Sequence, residues 1–165
     1  MTFLSNFVSN ILDVKEAFRK SDNLRVAIKH QDITSDVRGQ QLLLRELSIL
    51  STVQHPNCLQ LIAFTLSSQA IIVTPFMSHG TLEDALKAPY TKNPKYSAFT
   101  PTKKMFSLYA ICSAMSYLHS MSILHRDFKP ANIFLNDDFE IVIADFGLSR
   151  KVQDNADITI GFVGS

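Results

Sequence analysis

The chain has 165 residues, 46% of them apolar, and a formal charge of +1. That is the length of one ordinary domain with enough apolar residues to bury a core. The near-balanced charge gives no basic surface for nucleic acid and no acidic surplus for disorder. Two cysteines, Cys58 and Cys112, are too few for a disulfide framework and point to a reduced, cytoplasmic protein. The opening MTFLSNFVSNILDVK lacks a basic start and breaks its apolar residues with Ser and Asn, so it does not read as a signal peptide. No stretch is long and apolar enough for a membrane span.

In chain order, LRVAIKH at 24–30 predicts a short strand, with Val26 and Ile28 alternating against polar neighbours. VRGQQLLLRELSILSTV at 37–53 predicts a helix whose Leu43, Leu47 and Leu50 share one face. HPN at 55–57 is a breaker. LQLIAFTL and QAIIVTPF then read as an antiparallel pair of strands, ended by Pro75, which has no N–H for a ladder. SHGTLEDAL predicts a short helix, and residues 87–100 a polar, Pro-broken loop.

A long helix follows, capped by Thr100 with Pro101 at its first position. Leu108, Ile111, Cys112, Met115 and Leu118 are its expected apolar face. ANIFL and EIVIA, split by NDD, read as a hairpin, and 149–165 as a loop. The order is strand-rich, then helical, with a boundary near residues 75–80, and ligands often sit at such seams.

Asp127 and Asn132 lie five apart before that hairpin, and Asp145 follows it, with Gly147 expected to let the backbone turn. Two carboxylates and an amide oxygen are hard ligands suited to Mg²⁺. Each alone reads equally well as a solvated loop residue, but the set brackets a hairpin that brings its members together. Glu46 edges the apolar face of its helix, and Lys29 lies on a strand with apolar neighbours. A buried charge without a partner is costly, so the two either pair, or Glu46 reaches the rim while Lys29 snorkels.

VAIK at 26–29, Glu46, HPN at 55–57, HRDFKPAN at 125–132 and DFG at 145–147 occur here in the order they take in one family. On these motifs the chain resembles a eukaryotic protein kinase of serine/threonine or tyrosine-kinase-like type, over roughly residues 10–165. The resemblance implies an α+β, bilobal protein-kinase-like fold. Residues 1–77 would form a small antiparallel-sheet lobe and 78–165 a partial helical lobe with the catalytic loop. It implies ATP and Mg²⁺ as cofactors and a protein substrate.

The roles it implies follow the motifs. Lys29 would hold the α- and β-phosphates, with Glu46 holding Lys29. Asp127 would accept or orient the proton of the acceptor hydroxyl, and Asn132 and Asp145 would bind Mg²⁺. Lys129 resembles the lysine of serine/threonine kinases that steadies the moving phosphate. Thr74 would be the gatekeeper, the backbone of Pro75, Phe76 and Met77 would face adenine, and Ala27 and Phe134 would sandwich it. Leu50, Leu61, His125 and Phe146 match the stacked residues that join the lobes. Arg126 would pair with a phosphorylated activation loop, Thr159 being a candidate site. Plain core packing or loop solvation is the competing account of each of these positions.

Some positions depart from the family. Phe7, Ser9 and Leu12 stand where it has its phosphate-covering glycines, with Ile11 for the usual aromatic, and Phe128 replaces a leucine. Ser165 falls just before the place of the Ala-Pro-Glu motif. The resemblance thus implies a fragment or truncated product, with an apolar face of the long helix left for association. Two other readings are a pseudokinase or nucleotide-binding interaction module without phosphotransfer, and a small-molecule phosphotransferase. The wording of HRDFKP, DFGLSR and HPN resembles protein kinases rather than the last of these.

Overall fold

A computed structural model describes residues 3–5, 14–32, 37–67, 69–88 and 93–152. Strands β1 (Phe3–Ser5), β2 (Val14–Arg19), β3 (Arg25–Asp32), β4 (Ala63–Leu66) and β5 (Gln69–Pro75) form one antiparallel sheet in the order β1-β2-β3-β5-β4. β3 runs two residues beyond the expected strand, because its ladder with β5 continues through Gln31↔Ala70 to Asp32↔Gln69. Main-chain pairing extends a strand past its apolar pattern.

Helix α1 (Val37–Leu50) lies against this sheet. It stops three residues short of the expected end. The Ser51 hydroxyl donates to Ser48 O at 2.9 Å, and Ile49 O accepts from the main-chain N–H groups of Thr52 and Val53 and from the Thr52 hydroxyl, so carbonyls of the last turn are satisfied as the chain leaves the helix. β4 starts at Ala63 rather than Leu59, because the chain before it is bonded elsewhere. Leu59 N–H donates to Ile143 O at 2.8 Å, and the Gln60 amide donates to the carbonyls of His55 and Cys58. The HPN turn is thereby tied to the second half of the molecule, with Asn57 Nδ2 donating to Ile141 O at 2.9 Å.

Beyond β5, Gly80 (φ 72°) makes a left-handed turn suited to glycine. Helix α2 (Leu82–Lys87) follows, started by a reciprocal capping box between Thr81 and Asp84. Helix α3 (Pro101–Ser120) begins as its sequence indicates, with the Thr100 side chain accepting from Lys103 N–H. Its buried face is partly the expected one: Leu118 is buried and Ile111 and Met115 pack against the main core. Ser107 and Ala114 are buried as well, whereas Leu108 is 65% exposed and Cys112 is exposed. Small residues let the helix approach its neighbours, and Met105, Phe106 and Tyr109 are turned outward with Leu108.

Two short pairings complete the fold. β6 (Ile123–Leu124) meets β9 (Arg150–Lys151), inside a stretch expected as loop, and β7 (Ile133–Leu135) pairs with β8 (Ile141–Ile143) as the expected hairpin. The largest core cluster joins Ile49 and Leu50 of α1 to Leu118, Ile123, Leu135, Ile143 and Phe146. Each such fully buried side chain contributes roughly 1.5–3 kcal/mol. A second cluster packs Leu43 and Leu47 on Ala70 and Ile72, and a third holds Ala17, Val26 and Val73. Among the described residues no helix is long and apolar enough to cross a membrane.

Candidate active site

The alternation of β3 decides which of its side chains reach the seam. Val26 points into the third core cluster, so Ala27 and Lys29 take the opposite face. Across the ladder they stand against Thr74 and Ile72, and Ile72 is the residue on which α1 packs. Lys29 therefore emerges beneath α1. Its Nζ lies 3.1 Å from Oε2 and 3.4 Å from Oε1 of Glu46. Glu46 is 12% exposed, so of the two accounts of this pair the ion pair holds.

Where β5 ends, Phe76 N–H donates to Arg25 O at 3.2 Å, and its ring lies 4.2 Å beneath the Arg25 guanidinium, which Glu16 holds at 2.6 Å. The connecting segment Pro75–Met77 is thus pinned to β3 on the outside. Phe134 lies in β7 between Ile133 and Leu135; those two are buried in the main core, so Phe134 takes the other face, half-buried.

The loop between β6 and β7 carries the densest chemistry. Lys129 Nζ lies 3.0 Å and 2.9 Å from the two carboxylate oxygens of Asp127. Asn132 Nδ2 donates to Asp127 Oδ2 at 2.8 Å and to Asp127 O at 2.9 Å. The Lys129 hydrogen bond, helped by Asn132, holds the Asp127 carboxyl below the usual carboxylate range, and Asp127 in turn raises Lys129. Asn132 is buried in the single turn Pro130–Asn132, against which α2 packs.

Asp145 reaches this loop through the main chain. Ala144 N–H donates to Asn132 O at 3.0 Å, and Ala144 O accepts from His125 Nε2 at 2.9 Å. Burial pushes the His125 pKa down, which favours the neutral ring, and the bond to a carbonyl oxygen assigns a proton to Nε2. The expected turning residue is corrected: the left-handed φ falls on Asp145 itself (62°), not on Gly147. Leu50 and Phe146 share the main core with Leu61 packed against it, and the His125 and Phe146 rings lie 5.3 Å apart.

The donor set fits Mg²⁺. Asn132 spends its amide nitrogen on Asp127 and keeps its oxygen, and Asp145 has no hydrogen bond or ion pair among the described residues. Those residues contain no cluster of three His, Cys, Asp or Glu for an all-protein metal cage. Two oxygen donors suit an ion that keeps waters and substrate phosphates for its other positions. Sequence reasoning missed Ser149, a wholly buried serine that donates to His125 O. The signal was faint: one small polar residue in a charged stretch. Phe7, Ser9, Ile11, Leu12, Thr159 and Ser165 lie outside the described residues.

A five-stranded sheet with a bridging helix, set on a helical base with the HRD loop and the DFG turn bonded at the seam, defines a protein-kinase-like fold. The chain belongs to the protein kinase family, whose protein kinase domain model matches residues 11–165. It is 34% identical over 151 residues to the tyrosine-protein kinase receptor TYRO3 of Danio rerio, covering 84% of this chain and 17% of that protein. A putative serine/threonine-protein kinase/receptor of Acanthamoeba polyphaga mimivirus is 38% identical over 117 residues, covering 69% and 7%. A probable LRR receptor-like serine/threonine-protein kinase of Arabidopsis thaliana is 35% identical over 136 residues, covering 80% and 22%. The chain thus spans less than a quarter of the length of each of these relatives.

Proposed function

We propose that the chain is the nucleotide-binding and phosphate-transferring part of an ATP- and Mg²⁺-dependent kinase that modifies serine and threonine hydroxyls of proteins. The observation that carries this reading is the Asp127 carboxylate, gripped by Lys129 at 2.9 Å and by Asn132 at 2.8 Å. Phosphoryl transfer asks a protein for positioning and charge neutralisation rather than covalent chemistry. Bound Mg²⁺ supplies positive charge against the phosphate oxygens.

In this reading Asp127 orients the acceptor hydroxyl and takes its proton, and Lys129 faces the moving phosphate. Lys29, held by Glu46, grips the α- and β-phosphates. Asn132 and Asp145 offer oxygens to the metal. Ala27 and Phe134 enclose the adenine, Pro75, Phe76 and Met77 border it, and Thr74 guards the space behind. Lys129 supports Ser/Thr acceptors, since tyrosine kinases usually differ there; the relatives' names include both kinds. The lobes divide at residue 77, and two free thiols, Cys58 and Cys112, support a cytoplasmic setting.

A second reading, a nucleotide-binding module without phosphotransfer, is favoured by Phe7, Ser9 and Leu12 in the place of glycines. Thermal melts with ATP, with and without Mg²⁺, test the proposal on this chain and on Asp145→Asn. Metal-dependent stabilisation, lost in Asp145→Asn, is expected. Its absence in the parent chain contradicts the proposal, and its presence without transfer to Ser/Thr peptides favours the second reading.

A further inference from the structure

Residues 144–149 leave β8 and cross the loop that carries Asp127. Within them Asp145 holds a φ of 62°, a conformation that L side chains rarely adopt and that persists only where the surroundings impose it. His125 imposes it from both ends. Its side chain donates to Ala144 O at 2.9 Å, and its main-chain carbonyl accepts from Ser149 Oγ at 3.0 Å. Between these contacts, Ser149 N–H closes a turn onto Phe146 O at 3.0 Å, and the Phe146 ring packs beside the imidazole. Immediately after Ser149, Arg150 joins the ladder opposite Leu124, the residue before His125.

Ser149 is 0% exposed, so no bulk water replaces its hydroxyl if it is removed. The His125 end of the clamp is an imidazole already committed to Ala144 O. The hydroxyl of Ser149 therefore fixes the far end of the turn that presents Asp145. We propose that Ser149 is a positioning residue: it holds the 144–149 turn in the strained conformation in which the Asp145 carboxylate is set for Mg²⁺ and nucleotide. This deepens the functional reading above and rests on it. A merely structural serine predicts a different result, a lower melting temperature with metal use unchanged.

The experiment titrates Mg²⁺ against ADP-dependent thermal stabilisation in the parent chain, in Ser149→Ala and in Ser107→Ala. Ser107 is a buried serine of α3 whose hydroxyl, among the described residues, bonds within its own helix, to Lys103 O. Ser149→Ala is expected to raise the half-saturating Mg²⁺ about tenfold, the scale of one buried hydrogen bond, and Ser107→Ala to leave it unchanged. Ser149→Cys keeps a side-chain donor, weaker and on a somewhat larger group, is expected to fall between, and decides the matter if the alanine variant does not fold. Half-saturation equal to the parent in the Ser149 variants, or an equal rise in Ser107→Ala, overturns the proposal. A parent chain with no Mg²⁺-dependent stabilisation overturns the functional reading itself, and the proposal with it.

Discussion

Asn132 donates its amide nitrogen to Asp127 twice, at 2.8 Å to the carboxylate and at 2.9 Å to the main-chain carbonyl. One side chain thus fixes the rotamer of the carboxylate and aims its own oxygen away from it. The two residues act as a unit, and neither is free to serve a ligand without the other.

Asn132→Asp tests that unit. It sets a second carboxylate against Asp127 and removes the donor. We expect a loss of about 1–3 kcal/mol at pH 7 in urea denaturation, the scale of an unsatisfied buried group. The loss should shrink as pH falls, because a protonated carboxyl restores a donor. Unchanged stability at pH 7 contradicts the arrangement.

Lys129→Met tests the charge pair. Lys129 is the main reason that the Asp127 carboxyl lies below the usual range. A lowered folded value means that the pair's stabilisation is present above the unfolded carboxyl's pKa and is lost as pH falls through the folded one. Without Lys129 the Asp127 titration should move up, as read by carbonyl-carbon NMR. A titration that stays in place contradicts the pairing.

Lys29 and Glu46 give a double-mutant cycle. With Lys29 at 36% exposure, the coupling should be of the order of 1 kcal/mol, near the scale of surface pairs. Lys29→Met should cost more than Glu46→Gln, since it strands a carboxylate that is only 12% exposed. Chemical denaturation of the two single variants and the double variant measures both.

The two thiols should separate by reactivity. Burial pushes the Cys58 thiol up to about 12, and Cys112 is exposed on α3. Iodoacetamide at pH 8 should alkylate Cys112 in the folded chain and Cys58 only after unfolding, as read by peptide mass. Early modification of Cys58 contradicts its burial.

Local rules carried far in this chain. Thr100 and Pro101 mark the start of α3 because capping is a contact within one turn. The β7–β8 hairpin was written in two apolar runs around a polar turn, and Glu46, edging an apolar face, left pairing with Lys29 as one of two alternatives that the ion pair decides. What escaped depends on distant main chain. Arg150 and Lys151 form a strand although both are exposed and charged, because the ladder with Ile123 and Leu124 uses only backbone groups.

The buried face of α3 was only partly legible for another reason: Ile111, Met115 and Leu118 lie against the core as expected, whereas Leu108 and Cys112 do not. Met105, Phe106, Leu108 and Tyr109 make the helix apolar on several sides, so periodicity could not choose, and the small residues Ser107 and Ala114 decided the approach. The candidate site was readable as motifs, but not as a clamp. Nothing in the spelling DFGLSR shows that its serine reaches the carbonyl of His125, or that Asp145 rather than Gly147 takes the left-handed turn.

The central claim is that Asp127, set by Lys129 and Asn132, serves transfer of phosphate to a hydroxyl. The most direct measurement follows labelled phosphate from γ-labelled ATP to Ser/Thr and Tyr peptides, with this chain and with Asp127→Asn. The account expects Mg²⁺-dependent label on Ser/Thr peptides and a loss of at least about a hundredfold in Asp127→Asn, the lower scale of general acid–base catalysis. Equal transfer by both proteins, or none by the parent chain despite nucleotide binding, contradicts it.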